Sequence, residues 1–375
     1  MSSTSSTKRT KSFVFAAVFI ALAVASLVVG RGGDSLPKFN FFKDTTLVTG
    51  AISPELEATF KDPAMLEALE KHNIELDLDV VPARDFVERS SSVDKDYDFI
   101  LTDPNGAAWV SDLRNTNPEL AELDEGSPMV FGNQLLVLVH SELVEDMKNH
   151  DLVTESDNLA SLNVETLVDM SQENTRWRDI SPTFGSPRVV DVAVPQVSQS
   201  FAALRYARVL RTVGADYAEK KLGRDDKAKI DAEADDIMRG LVAEQGYSET
   251  TDQGILDAFL RVDKGEMPMV LATTDQYVRL LHEGEDLSRY TSLALNPPTT
   301  LTSIVIPRTE EGALFAKAMN EDGIPAVMEG LGLSTQGSGF SSKFDPSSDH
   351  SIPVDGGEYS QLRWADYEEI LQAVG

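Results

Sequence analysis

Apolar and polar positions change their spacing repeatedly along this chain, and each change marks an element. In "TTLVTGAISPELEATFKDPAMLEALEKHNIELDLDVVPARDF", residues 45–86, a short strand through Leu47 and Val48 ends at Gly50. A loop of small residues follows. Pro54 opens a helix, with Ser53 as its N-cap and Glu55 and Glu57 in the first turn. A second helix, capped by Asp62, puts Met65, Leu66 and Leu69 on one face. Ile74, Leu76, Leu78 and Val80 alternate with acids, which predicts a half-exposed strand.

The same strand–loop–helix order returns. A strand at Phe99–Leu101 runs into the turn-rich "TDPNG". Leu135–Val139 is a longer apolar strand, of the sort that passes between two domains. "RVVDVAVPQVSQSFAALRYARVLRTVG" reads as a strand, a hydroxyl-rich loop and a helix with Phe201, Leu204 and Leu210 inward. Residues 215–253 read as a charged, solvated helical stretch. Met269–Ala272 is a strand, "TTDQY" its loop, and a helix follows. Two strands around Pro297 and Pro298 form the return crossing, and a helix over 365–373 closes the chain. Strands separated by helices predict a parallel α/β sheet, with the ligand crevice at the carboxyl ends of its strands.

The charge narrows the function. There are 62 acidic against 33 basic residues, a net charge of −29. Nucleic acid and anionic lipid surfaces are excluded as partners, because both need clustered Lys and Arg. The absence of cysteine excludes disulfides, thiol catalysis, Cys-ligated metals and lipid attachment through an N-terminal Cys. The 5 histidines show no metal spacing. "DKDYDF" lacks the Gly and Glu a calcium loop requires at its sixth and twelfth positions. No catalytic constellation emerges, and no cofactor or metal is called for.

The N-terminus carries the export pattern: Lys8, Arg9 and Lys11, then the uncharged run 13–30. It is expected to remain as a membrane anchor, with cleavage and secretion as the alternative, and to put everything after it outside the cytoplasm. Residues 1–33 are then tail, apolar segment and tether.

"LVTGAISPELEATF", "DYDFILTDPNG", the crossing strand followed by "VETLVDMSQENTRWRDI", "VDVAVPQVSQSFAALRYARVL" and "LDAFLRVDKGEMPMVLATTDQYVRLL" together resemble the type II periplasmic (extracellular) solute-binding proteins of ABC transporters. The resemblance covers roughly residues 44–345. It implies two Rossmann-like α/β lobes joined by crossing strands, residues 34–135 with 300–375 and residues 136–299. A small ligand would sit between them and be handed to a membrane permease complex, with no enzymatic role. Carried over by position, the ligand contacts would be Thr49, Gly50, Ser53, Thr102, Asp103, Ser198, Ser200, Thr274 and Tyr277. Backbone N–H groups at these loops suit a neutral or anionic ligand better than a cationic one, while Asp103 would select an amine or a hydroxyl. The alternative is an envelope sensory or interaction protein with the same fold, a degenerate cleft and no transport. Two departures from the family stand out: there is no lipoprotein Cys, and the nearest arginines to the Ser-rich helix start are Arg188 and Arg205.

Overall fold

The computed structural model describes residues 45–103, 130–335 and 364–375, apart from Arg89, Asp94, Asp157, Asn158, Asp263 and Asp322. The run 13–30, expected to lie in a membrane, is outside the described residues. Among the described residues no helix is long and apolar enough to cross a membrane.

Thr45–Gly375 forms one compact unit. Its first half is built on β1 (Thr46–Ile52), parallel to β2 (Ile74–Val80) and to β3 (Phe99–Thr102). Between β1 and β2 lies α1 (Pro63–Lys71), which Asp62 caps by accepting the Ala64 N–H at 2.8 Å. Met65 and Leu69 are buried as the spacing requires, but Leu66 faces outward.

β4 (Val130–His140) is the seam of the molecule. Its first part, Val130–Gln134, is hydrogen-bonded to β9 (Thr300–Pro307), which continues antiparallel to β3. Its second part, Leu135–His140, pairs with β7 (Met269–Thr273) and with β8 (Tyr290–Asn296). β8 carries the sheet on to β6 (Leu159–Asn163) and β5 (Val153–Ser156), and β10 (Ser334–Thr335) adds to β4. The strands expected at Leu135–Val139 and around Pro297 are β4 and the β8–β9 segment, both within one continuous sheet. The sheet is mixed, because β9 and β4 run against their neighbours.

The helices of the second half are α2 (Val164–Gln172), α3 (Phe201–Leu222), α4 (Lys227–Val242), α5 (Asp252–Arg261) and α6 (Thr274–Glu283). Three expectations are corrected here. Residues 215–253 are not a solvated stretch: Ile230, Ile237, Met238 and Leu241 of α4 are buried against α3. "TTDQY" is not a loop, because Thr273 ends β7 and Thr274 already belongs to α6. "RVVDVAV" joins the sheet only through the bridge from Ala193 to Val270, so it is an extended segment rather than a ladder strand.

In the first half α7 (Glu310–Ala318) packs on β1 and β9. A Cβ on Gly312 would lie 1.8 Å from the Asp98 carbonyl oxygen, so only glycine permits this approach. The last helix, α8 (Trp364–Val374), was expected with the first half. It packs instead on α3 and α4, and on the short helix Ala83–Val87 of the first half. Tyr367 stacks 5.8 Å from Phe201, and Glu369 pairs with Arg211 at 2.8 Å. One apolar core runs through Ala51, Phe86 and Ile100 of the first half to Val137, Phe201, Tyr206 and Tyr367 of the second. The halves thus share interior rather than meeting only at crossing strands.

Candidate functional site

The cleft between the halves is set by where strands stop and helices start. Pro54 and Glu55 follow β1, Pro82 follows β2 and Thr273 ends β7, all at the carboxyl ends of their strands. The first turns of α3, α5 and α6 face them. Together they enclose a cavity of about 500 Å³ whose lining includes Glu55, Lys61, Gln199, Asp252, Gln276 and Arg279. Ligand pockets for small molecules run from roughly 300 to 1,000 Å³.

Each helix start is capped. Ser200 Oγ accepts the Ala203 N–H at 3.0 Å, and Thr251 Oγ1 accepts the Gly254 N–H at 3.0 Å. At α6 Thr273 and Gln276 form a capping box, with Gln276 Oε1 accepting the Thr273 N–H at 3.1 Å. Asn133 of β4 adds to it, its Oδ1 accepting the Asp275 N–H at 3.3 Å and the Thr274 hydroxyl at 2.8 Å, and its Nδ2 donating to Asp275 Oδ1 at 2.7 Å. Arg279 reaches back from α6 to Asp275 Oδ2 at 3.0 Å and to Gln253 Oε1 at 2.9 Å.

The start of α3 already holds a carboxylate. Glu55 Oε1 accepts the N–H of Phe201 and, at 3.0 Å, that of Ala202. The Ser200 hydroxyl donates to Asp252 at 2.7 Å and lies 3.4 Å from Glu55. Burial, and then the Asp252 carboxylate, push the Glu55 carboxyl well above its ordinary range, against the pull of the helix N–H groups. Burial also raises Asp252, opposed by the Ser200 hydroxyl. Glu55 Oε2 and Asp252 Oδ2 are buried without hydrogen-bond partners. One turn along α3, Arg205 Nε and Nη2 donate to Asp103 Oδ2 at 3.1 and 2.7 Å, and the Tyr367 hydroxyl adds a bond at 3.3 Å.

None of the nine residues named from the sequence lines this cavity; their chain neighbours do. Thr49 donates through its N–H and hydroxyl to Asp98 Oδ2 at 2.7 and 2.8 Å, tying β1 to β3. Burial pushes Asp98 up, but these bonds and one from Thr309 outweigh it and hold the carboxyl below its ordinary value. Gly50 is needed for packing, since a Cβ there would fall 2.3 Å from the Phe99 ring. Ser53 is buried and makes no side-chain cap. Thr102 is buried on β3, and Asp103 is committed to Arg205. Ser198 lines a different cavity of about 310 Å³, beside Gln245 and Tyr247. Thr274 is held by Asn133, and Tyr277 is in the core of the second half. Only Ser200 touches the groups of the cleft wall.

Sequence reasoning missed Glu55, Asp252, Gln276 and Arg279. Asn133 had a signal: it stands with Gln134 as a polar pair within the apolar "MVFGNQLLVLV".

No family model matches the chain, and neither does any curated protein. Solved structures do. The chain is similar to the sulfate-binding protein SubI from Mycobacterium tuberculosis H37Rv, at 11% identity and a TM-score of 0.47, over 78% of this chain and 88% of that one. It is similar to the periplasmic binding protein P5PA, at 10% identity and a TM-score of 0.47, over 88% and 97%. It is also similar to the maltose/maltodextrin-binding domain MalE from Bdellovibrio bacteriovorus bound to maltotriose, at 11% identity and a TM-score of 0.43, over 88% and 98%.

Proposed function

We propose that this chain is an extracytoplasmic solute-binding protein, not an enzyme, which holds a small ligand between its two halves for an ABC-type importer. The observation that carries the reading is the cavity of about 500 Å³ where three helix starts face the carboxyl ends of β1, β2 and β7. Gln199, Gln276 and Arg279 on its lining carry side-chain donors, which suits an oxygen-bearing solute. In this reading residues 45–135 with 300–335 act as one lobe and 136–299 as the other. Gln199 and Gln276, inside the segments "VSQS" and "TTDQY" named in the sequence, and Arg279, two residues beyond the second, are the contacts. The N-terminal run 13–30 holds the protein at the membrane beside its permease.

A thermal-shift screen of neutral and anionic solutes tests this. A ligand at 100 times its Kd adds about 2.7 kcal/mol of stability. The ligand that stabilises the wild type should lose that effect with Arg279→Ala and Gln276→Ala. Equal stabilisation of both variants would remove the cleft from consideration.

One observation favours a second reading, a sensory or interaction protein with the same fold and no transport. Glu55 already fills the start of α3, as a degenerate cleft would require. Pull-down of a permease with the full chain favours the first reading, and its failure alongside a ligand-free screen favours the second.

A further inference from the structure

Glu55 comes from the first half; besides its own backbone N–H, the donors on its carboxylate, the Phe201 and Ala202 N–H groups and the Ser200 hydroxyl, come from the second. Its carboxylate lies on the first-turn donors of Phe201 and Ala202, at the head of a 22-residue helix. That is the place where a long helix receives an anion. A second, independent feature marks the same place as incompletely matched. Glu55 Oε2 and Asp252 Oδ2 are both buried without partners, and both side chains line the cavity.

We propose that the start of α3 is a carboxylate-binding site whose resident occupant is Glu55, which latches the two halves together and whose place a small free carboxylate takes once that side chain is removed. The inference does not rest on the protein carrying a solute.

The surrounding charges fit an internal ligand better than a structural ion pair. From α5, Asp252 faces Glu55, and from α6, Asp275 stands behind it, paired with Arg279. From α3, Arg205 is committed to Asp103, and Tyr367 of α8 closes over that pair. At the cavity mouth Lys61 pairs with Glu57. Among the described residues, then, Glu55 has no ion pair. Its Oε1 is matched by dipoles and lies 3.4 Å from the Ser200 hydroxyl, which donates to Asp252 Oδ1, and its Oε2 is buried without a partner. One proton retained between the two carboxyls removes their repulsion while leaving the two N–H bonds in place. The latch is therefore firm when the pair holds a proton and loosens when both acids ionise.

The test uses the full chain with Glu55→Ala and Glu55→Gln. Each is melted with sodium formate or sodium acetate against sodium chloride at equal ionic strength. Glu55→Ala should melt below the wild type, and formate or acetate should restore most of the lost Tm in a saturable way that chloride does not reproduce. The wild type, its site filled, should respond to all three salts alike. Formate acting on Glu55→Ala no better than chloride overturns the proposal. Glu55→Gln keeps an acceptor for both N–H groups and carries no charge, so it decides the matter even where Glu55→Ala does not fold. Its Tm should match the wild type near pH 6 and lack the decline the wild type shows towards pH 8. The same decline in Glu55→Gln overturns the latch.

Discussion

Two carboxylates from the first half reach the same helix of the second, and they meet opposite surroundings. Asp103 meets Arg205 in a two-bond pair with 7% and 0% side-chain exposure, and the Tyr367 hydroxyl adds a third bond. Glu55 meets two backbone N–H groups and another acid. The first contact is a cancelled charge, which holds as long as both partners are present. The second depends on protonation. The difference teaches that one joint can combine a fixed fastening with a conditional one, a single helical turn apart.

Removing a partner from the fixed contact should have the largest effect. Arg205→Met leaves Asp103 buried without its cation, which costs about 3–5 kcal/mol. Denaturant unfolding curves measure it. The double variant Asp103→Leu with Arg205→Met should recover most of the loss, because a buried pair replaced by apolar groups is nearly neutral. A loss under about 1 kcal/mol for the single variant, the level of an exposed pair, would show that the two contacts do not differ as argued.

A smaller effect is expected from Ser200→Ala. It removes the cap on Ala203 and the hydroxyl donated to Asp252, together about 1–2 kcal/mol. Thermal melts by circular dichroism should register the drop. No drop would mean that the Glu55 contact stands without the cap, which would weaken the contrast.

The last test is the pH dependence, and its sign follows from the direction of the shifts. Glu55 and Asp252 have folded-state pKa values above their ordinary ones, about 8 and about 6. The folded state therefore keeps protons that the unfolded chain releases. The stability they contribute is full below the ordinary carboxylate range and is lost as pH rises from there through about 6 and about 8, so the wild type weakens between pH 6 and 8. Asp252→Asn should flatten the profile and raise Tm at pH 8. An unchanged slope would remove Asp252 from the latch. Arg205→Met, by contrast, should lower stability without altering this slope.

Much of the architecture was legible, because strand and helix periods are set by burial on one face. α1, β2, β3 and the strand β4 fall where the pattern put them, but β1 does not stop at Gly50: it runs to Ile52, so the "TGAIS" read as a loop is mostly strand, with Ala51 and Ile52 buried. The site was legible only to within a residue or two. Small and hydroxyl residues mark the strand-to-helix connections, yet here they are used inside the strand and at the helix start. Thr49 ties β1 to β3, Gly50 admits Phe99, and Thr274 closes on Asn133. The side chains left to face the cleft are the next ones along. Glu55 was read as a first-turn acid serving its own helix. Pro54–Leu56 is instead a three-residue 3-10 turn, and the Glu55 carboxylate goes to a helix 146 positions on. No local pattern encodes a partner at that separation.

β4 has one more consequence. Each of its two parts is stitched to a different half, with no break in the strand between Gln134 and Leu135. Pulling the halves apart therefore strains two ladders that share one backbone. In native-state amide exchange the protons of β4 should open only with the whole molecule, while those of α1 and α7 open in smaller fluctuations.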